Sequence, residues 1–406
     1  MKKNPLLSIF FIVLIEITSF GLILPLLPFY AETFNANTFV QGLLVATYSA
    51  AQVISTPILG RLSDRYGRRP LLLLSVLGTT IALIMLGFAN ALWILFAARL
   101  LDGFTGGNIS VAQAYITDVT DEKNRAKGLG LIGAAFGLGF IVGPALGAFL
   151  SQWGFGVPAL VAATLEIFNL INVYFNLPES LTAEARAKIA SQPNRGFTLS
   201  ALVNTLKLPF VGSLLALSAL ILLPLTTFQT VFSIYTNAQL GLNAQATGFL
   251  LTYVGVLAVV VQVGLIGRLS QRFSDRTLLI FGAGLLAVGF LAWGLTNSIW
   301  LLVITLLPVA VGSGLYTVIL RTALSKSVHP DEVGGILGIT ASLESATRVV
   351  GPILGAALIS SFGAWSPGVL GAILTALALV GLIVLYTGHT KSTHDIALPD
   401  SQPAGD

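Results

Sequence analysis

Six charged side chains lie inside long apolar stretches of this sequence, where a charge is costly. They are Glu16, Arg99, Asp102, Glu166, Glu344 and Arg348. An ionised group in hydrocarbon costs roughly 2.5–3.5 kcal/mol on insertion scales, so each one needs a reason to be there. Burial favours the protonated form of a carboxyl group, whereas a nearby arginine favours the carboxylate. Acids and arginines in such surroundings are therefore suited to taking up and releasing protons.

Spacing indicates which of these groups can interact. Arg99 and Asp102 are three residues apart and so share one helical face. Glu344 and Arg348 are four residues apart, which predicts an ion pair within one helix. Glu166 has no obvious partner nearby in the sequence. For each group the alternative is purely structural, a hydrogen bond or an ion pair between helices, and the sequence leaves both open.

The stretches that hold these charges are typical of membrane-spanning helices. The chain has 406 residues, of which 55% are hydrophobic and 9% charged, whereas soluble domains carry about a quarter charged residues. Apolar runs of roughly 20 residues are long enough to cross a bilayer. The sequence predicts twelve such spans, at 6–29, 41–61, 70–89, 92–117, 127–151, 156–177, 208–236, 244–266, 277–296, 299–323, 333–361 and 365–387.

Basic residues predict the orientation of these spans in the lipid bilayer. Of the 21 lysines and arginines, two (Arg99 and Arg348) lie within spans, and the others fall on one side of the predicted membrane. Because basic loops stay on the cytoplasmic side, both termini are expected to be cytoplasmic. This partition accounts for the net charge of +4 without a nucleic-acid partner. The chain has no cysteine, which excludes a thiol site.

The two halves of the chain repeat one another. Gly60–Ser63 returns as Gly267–Ser270, and Asn90–Trp93 returns as Asn297–Trp300, in both cases 207 residues later. The copies are six spans apart, and an even number gives both halves the same orientation. The intramembrane charges occur in one copy only, which indicates function placed on a duplicated frame. The predicted organisation is a six-helix bundle, a cytoplasmic linker, a second six-helix bundle and a disordered cytoplasmic tail, at 1–177, 178–207, 208–387 and 388–406.

Four motifs resemble those of the major facilitator superfamily. The loop Gly60-x-Leu62-x-Asp64-Arg65-x-Gly67-Arg68-Arg69 is similar to the family's loop between helices 2 and 3. Arg99–Gly103 resembles the helix 4 motif, with Asp102 where glutamine is more usual. Gly139-x-x-x-Gly143-Pro144-x-x-Gly147 resembles the helix 5 motif of antiporters, and Gly21–Pro28 resembles the tetracycline-exporter branch of the twelve-helix drug/proton antiporters. The resemblance implies an all-α membrane protein, with two six-helix bundles related by a pseudo-two-fold axis.

The same resemblance implies a proton-coupled secondary transporter that exports lipophilic drugs by alternating access. It implies no cofactor, because the proton gradient drives transport, and its partners would be a small-molecule drug, protons and lipid, with the chain acting as a monomer in the bacterial inner membrane. Four intramembrane acids against two bases favour cationic or zwitterionic compounds. A sugar or organic-acid carrier of the same fold is the alternative, and the helix 5 motif argues against it. The sequence has no metal-ligand spacing and no nucleophile–base motif that would indicate an enzyme.

Residue roles follow from placing the charges on that fold. Glu16 lies on a helix that lines the family's central cavity and is the predicted proton carrier. Arg99 and Asp102 are its predicted partners, and a change in the distance between Glu16 and Arg99 would load or release a proton. Glu166, Glu344 and Arg348 are further candidates for proton coupling.

The arginine-rich loop is expected to act as a gate as well as to set topology. Asp64 is predicted to accept hydrogen bonds from a helix N-terminus, or from Arg65 and Arg125, and Asp118 is a further predicted member. The full set of predicted gating residues is Gly60, Asp64, Arg65, Gly67, Arg68, Arg69, Asp118 and Arg125. The antiporter-motif residues should bend span 5 and pack it tightly against span 8; these are Gly139, Gly143, Pro144 and Gly147.

Polar and aromatic residues within the spans are candidates for substrate contacts. A mostly apolar wall with a few polar groups suits lipophilic ligands. The predicted contacts are Phe20, Gln52, Asn108, Gln113, Phe136, Phe228, Gln229, Phe232 and Tyr316.

Overall fold

The computed structural model of the chain describes residues 5–182, 184, 186, 209–329 and 333–394. Within these ranges the backbone forms helices and connecting turns and no strand, so the all-α prediction is confirmed. Among the described residues, 11 helices are long and apolar enough to cross a membrane. The linker residues 187–207 and the tail residues 395–406 lie outside the described ranges.

The first half of the chain contains eight of the described helices. They are α1 (Pro5–Ile23), α2 (Leu27–Glu32), α3 (Thr38–Tyr66), α4 (Arg68–Gly87), α5 (Leu92–Thr105), α6 (Asn108–Val119), α7 (Glu122–Leu150) and α8 (Gly156–Asn176). Those of the second half are α9 (Pro209–Leu240), α10 (Ala244–Val259), α11 (Ile266–Arg272), α12 (Asp275–Leu295), α13 (Ile299–Lys326), α14 (Val333–Phe362) and α15 (Ser366–His394). A π-helical turn, Val260–Leu265, joins α10 to α11, and α15 continues past the predicted end of its span at 387.

Several of these helices begin at residues whose side chains cap the backbone. The side chains of Asn37, Asp121 and Asn243 each accept a hydrogen bond from the backbone N–H three residues later. Such a cap satisfies one of the N–H groups that the first turn leaves unpaired. Between α3 and α4 the single residue Gly67 has a φ of 108°, a backbone conformation that glycine adopts far more readily than other residues.

The fourth crossing of the membrane is broken in the middle. The span predicted at 92–117 consists of α5 and α6, separated by Gly106 and Gly107. Backbone groups freed by a break in a membrane helix must find partners within the protein. Two side chains of α3 provide them, because Gln52 Nε2 donates to the Gly106 carbonyl at 2.9 Å and Ser55 Oγ donates to the Gly103 carbonyl at 2.8 Å.

The two halves meet closely at one end of the molecule. Gly42 at the start of α3 lies against Pro352 and Ala356 of α14, and Gly248 of α10 lies against Pro144 and Ala148 of α7. At the opposite end, where the arginine-rich loop lies, methyl groups built on several glycines of these four crossings would meet no described atom within 4 Å: Gly60, Gly130, Gly133, Gly264, Gly267, Gly334, Gly335 and Gly338. The halves are therefore sealed at one end and separated at the arginine end.

Candidate functional site

Glu16 is buried in the middle of α1 and is held by a residue from the broken crossing. Asn108, the first residue of α6, donates a hydrogen bond from Nδ2 to Glu16 Oε2 at 2.6 Å. Both side chains are buried. Asn108 was predicted as a substrate contact, and the structure instead places its amide on the candidate proton carrier.

Arg99 pairs with Asp102 on α5, as their spacing predicts. Arg99 Nη1 lies 2.8 Å from Asp102 Oδ2, and Thr79 of α4 donates to Asp102 Oδ1 at 3.0 Å. The Arg99 guanidinium also lies 4.3 Å from the centroid of the Tyr48 ring, a cation–π arrangement. Asp102 is thus the direct partner of Arg99, whereas Glu16 interacts with Arg99 only by longer-range electrostatics.

Glu166 of α8 has no partner that the local sequence predicts, but it accepts two hydrogen bonds in the structure. Ser19 of α1 donates to Glu166 Oε1 at 3.0 Å, and Asn169 donates to Glu166 Oε2 at 3.0 Å. The Glu166 side chain is fully buried. These bonds tie α8 to α1 directly beside the Glu16 site.

The three acids and the arginine belong to one electrostatic cluster. Glu166 and Asp102 both act on the charge of Glu16. A small cavity reaches the cluster and is lined by Glu16, Ser19, Phe20, Tyr48, Arg99 and Asp102, among others. If all three carboxyl groups were ionised, one guanidinium would leave a net charge of −2 in a buried site. Uncompensated buried charge is expensive, so this group of residues is built to hold protons.

The charges of the second half are arranged differently from the prediction. Arg321 Nη2 donates to both carboxylate oxygens of Glu344, at 2.9 and 3.0 Å. The predicted pair between Glu344 and Arg348 is wrong, because α13 extends far enough to bring Arg321 alongside α14. Arg348 is exposed, and among the described residues it forms no hydrogen bond or ion pair.

The arginine-rich loop forms a network centred on Arg68. Its guanidinium contacts Asp64 at 2.6 Å, Asp118 at 3.1 Å and the Ser63 hydroxyl at 2.6 Å. Asp64 was expected to pair with Arg65 or Arg125. It pairs instead with Arg68, which lies four residues later, beyond Gly67.

Sequence reasoning missed one member of this network, Glu179. Its carboxylate accepts the backbone N–H groups of Arg68 and Arg69 at 2.9 and 3.1 Å, so it caps the N-terminus of α4. An acid at a helix N-terminus is stabilised by the helix dipole. A signal was available, because Glu179 follows the end of span 6 on the side of the membrane that carries the arginines.

The antiporter-motif glycines pack against α1 and not against span 8. Methyl groups at Gly139, Gly143 and Gly147 would collide with Ile17, with the backbone of Thr18 and Gly21, and with the Leu22 carbonyl. The contact with span 8, now α10, is made by the other face of α7 through Phe140, Pro144 and Ala148. The motif thus fixes the helix that carries Glu16.

Apart from Asn108, described above, the predicted substrate contacts fall into two groups. Phe228, Phe232 and Tyr316 are wholly enclosed in the core of the second half, where Phe228 packs edge-on against Trp293. They do not reach any surface in this conformation, so the prediction for these three is corrected. The remaining side chains are half-buried or exposed: Phe20, Gln52, Gln113, Phe136 and Gln229.

Comparison with known proteins identifies the family to which this architecture belongs. The model of the Major Facilitator Superfamily matches residues 9–266 and 214–403. Tetracycline resistance protein class H of Pasteurella multocida is 33% identical over 402 residues, covering 97% of this chain and 98% of that protein. Multidrug resistance protein 2 of Bacillus subtilis (strain 168) is 28% identical over 374 residues, covering 88% of this chain and 91% of that protein.

Solved structures share the fold at lower identity. The human organic anion transporter MFSD10 (TETRAN) has a TM-score of 0.68 at 22% identity, covering 93% of this chain and 98% of that chain. The nucleoside transporter NupG, as its D323A mutant, has a TM-score of 0.77 at 13% identity, covering 94% of this chain and 100% of that chain. At these identities the likeness concerns the fold alone.

Proposed function

The chain belongs to the major facilitator superfamily, and we propose from this premise that it exports lipophilic drugs in exchange for protons. Several relatives that match over most of the chain are tetracycline or multidrug resistance proteins. Within the structure, the observation that supports proton coupling most directly is the buried cluster of Glu16, Asp102 and Glu166 around Arg99. A carrier of sugars or organic acids is less supported, because relatives at 30% identity or more are tetracycline resistance proteins by name.

The protein is a multi-pass membrane protein, and we place it in the bacterial inner membrane with its arginine-rich loop and both termini in the cytoplasm. In that orientation the separated end of the two halves faces the cytoplasm, and the contacts of α3 with α14 and of α7 with α10 close the outer side. A drug would enter from the cytoplasm in this conformation. Rocking of the halves would then open the outer side, as expected for alternating access.

Proton coupling arises from competition for the Glu16 site. A drug with a positive charge, arriving beside the acids, would displace protons from them, and a proton arriving from outside would later displace the drug. One proton moving inward down 100 mV supplies about 2.3 kcal/mol. For a drug without net charge, that energy corresponds to a gradient of about 1.6 decades, at about 1.4 kcal/mol per decade.

The test is drug uptake into inverted membrane vesicles with an imposed pH gradient. With the unaltered protein, tetracycline should accumulate and adding it should release protons. Glu16→Gln should abolish accumulation while retaining binding, because glutamine keeps the hydrogen bonding but cannot titrate. Glu184→Gln, at an exposed glutamate outside the membrane helices, is the matched control and should accumulate normally. Accumulation by the Glu16→Gln variant would refute the role of Glu16, and gradient-independent counterflow of a sugar or organic acid by the unaltered protein would favour the metabolite carrier.

A further inference from the structure

Arg348 is a charged residue within a membrane-crossing helix that the mechanism above leaves unused. The neighbouring acid, Glu344, is neutralised by Arg321. Arg348 itself is exposed and, within the described part of the chain, has no hydrogen-bond or ion-pair partner. An unpaired arginine at membrane depth is costly, and such residues almost always face a water-filled cavity or a binding site.

The packing of α14 shows which way Arg348 faces. Residues spaced by four lie on one side of a helix, so Arg348, Pro352 and Ala356 share a face. Pro352 and Ala356 lie against Gly42 of α3 in the sealed part of the interface. Thr347, the next residue to Arg348, is buried with its carbonyl accepting a bond from Thr226 of α9. Arg348 therefore points toward the first half, directly below the seal.

Because α3 and α14 run antiparallel, distances along the two helices from their point of contact give the depth of Arg348 below the seal. Six residues along α3 lead from Gly42 to Tyr48, a rise of about 9 Å at 1.5 Å per residue. The same number of residues back along α14 from Leu354, between the two residues that touch Gly42, leads to Arg348. Arg348 thus lies on the second half at about the depth of Tyr48 on the first.

The wall opposite Arg348 carries acidic side chains. Tyr48 packs on one side against Phe20, with ring centroids 5.4 Å apart, and on the other against Arg99. Asp102 and Glu16 line the same small cavity as these rings, so the first half presents an aromatic edge beside carboxyl groups that become negative when their protons leave. The second half presents an unpaired cation at the same level.

We propose that Arg348 binds an acidic oxygen of the drug, while the drug's cationic group faces the acids of the first half. This inference rests on the proposed function and narrows it to substrates that carry an ionised acid, such as a carboxylate or an enolate, beside a basic group. A zwitterion of this kind bridges the two halves, so its binding joins the proton site to α14. Arginine suits this role because its guanidinium can hold two oxygens of a planar anion at once.

The experiment measures the binding of two lipophilic drugs to the purified full-length protein. Tetracycline carries an acidic enol system and a dimethylammonium group, whereas ethidium is a permanent cation without an acid. Arg348→Gln should weaken tetracycline binding, measured by fluorescence in detergent, by about tenfold or more, the effect of losing a hydrogen bond to a charged group. Ethidium binding should stay within about twofold, and Arg348→Lys should recover part of the loss for tetracycline.

Two controls are needed. One shows whether the loss of any positive charge weakens binding, and the other tests the proposed function separately from the role of Arg348. Lys326→Gln removes the same charge from a cytoplasmic surface pair with Asp275 and should leave both affinities unchanged. Vesicle transport in parallel reports proton coupling, so a protein that binds tetracycline through Arg348 without gradient-driven transport would refute only the proposed function. Equal loss for tetracycline and ethidium, no loss for tetracycline, or no binding of tetracycline by the unaltered protein would overturn the role of Arg348.

Discussion

The Asn108 amide donates a 2.6 Å hydrogen bond to the Glu16 carboxyl group from the first turn after the Gly106–Gly107 break. This bond links the proton carrier on α1 to α6, a helix segment separated from α5 by the break. Any rotation of α6 about the break would change the surroundings of Glu16. A movement of α6 would thus reach the proton site through one side chain.

Asn108→Ala should therefore impair coupling more than binding. A hydrogen bond to a charged group contributes about 1.5–3 kcal/mol, which corresponds to a factor of roughly ten to a hundred. We expect gradient-driven tetracycline uptake to fall by about tenfold or more, with the binding affinity changed by less than about twofold. Asn176→Ala, at an exposed asparagine at the end of α8, is the matched control. A parallel loss of binding would instead make Asn108 a substrate contact, as its sequence position alone had predicted.

Asp102→Asn should destabilise the protein by leaving Arg99 buried without a countercharge. Removal of one partner of a buried ion pair typically costs about 3–5 kcal/mol. The midpoint of thermal unfolding in detergent should fall clearly for Asp102→Asn, and the double variant Arg99→Gln with Asp102→Asn should regain much of the loss. Thr79→Val, which removes one neutral donor to Asp102, should lower stability by only about 1 kcal/mol. A double variant less stable than Asp102→Asn would argue against mutual neutralisation.

The short helix α2 closes the sealed end of the molecule and should control how often it opens. Glu32 accepts a hydrogen bond from Asn237 of α9 at 2.9 Å, and Leu26 and Phe29 pack against Ala244 of the second half. Asn237→Ala should favour the opened state modestly, since an exposed hydrogen bond contributes about 1 kcal/mol.

That opening can be measured with a single cysteine, because the chain has none. Ala244→Cys places a thiol inside this seal, and its rate of alkylation should rise about fivefold when Asn237→Ala is added. An unchanged rate would show that the bond between Asn237 and Glu32 does not hold the seal.

Gly143→Ala should reduce both stability and transport. A methyl group there would lie 2.7 Å from the Thr18 carbonyl oxygen and 2.9 Å from the backbone of Gly21, so α1 would have to move, and Glu16 with it. Gly284→Ala on α12 is the matched control, because a methyl group there meets no described atom within 4 Å. The control should be neutral or slightly stabilising, in line with the helix propensity of alanine. Normal transport by Gly143→Ala would show that α1 tolerates the shift.

The sequence predicted the spans and the buried acids because both are local properties. A run of apolar residues and a charge within it can be read without knowing what packs beside it. The pair of Arg99 and Asp102 was equally accessible, since a spacing of three residues determines the shared face. The family resemblance carried by the Gly60–Arg69 loop was confirmed by the match to the family model.

The partners of these groups could not be predicted, because they lie on other helices. Glu16 and Asn108 are 92 residues apart, Ser19 and Glu166 are 147 apart, and the rotation of each helix about its axis decides whether they meet. Glu344 had two arginines within reach, and the choice of Arg321 over Arg348 depends on how α13 lies against α14. The break at Gly106–Gly107 did have a sequence signal, two adjacent glycines, but hydropathy alone treats the span as continuous.

Repair of the broken crossing by α3 has an evolutionary consequence. Gln52 and Ser55 donate to the carbonyl groups of Gly106 and Gly103, which lose their regular helical partners because the chain is interrupted at positions 106 and 107. A homologue in which ordinary helix-forming residues replace the two glycines no longer needs those donors. A homologue that lost the donors but kept the glycines would have backbone carbonyl groups in the bilayer that lack these side-chain partners. Positions 52 and 55 should therefore be inherited as a unit with positions 106 and 107, and homologues with a leucine at 52 should also lack the paired glycines.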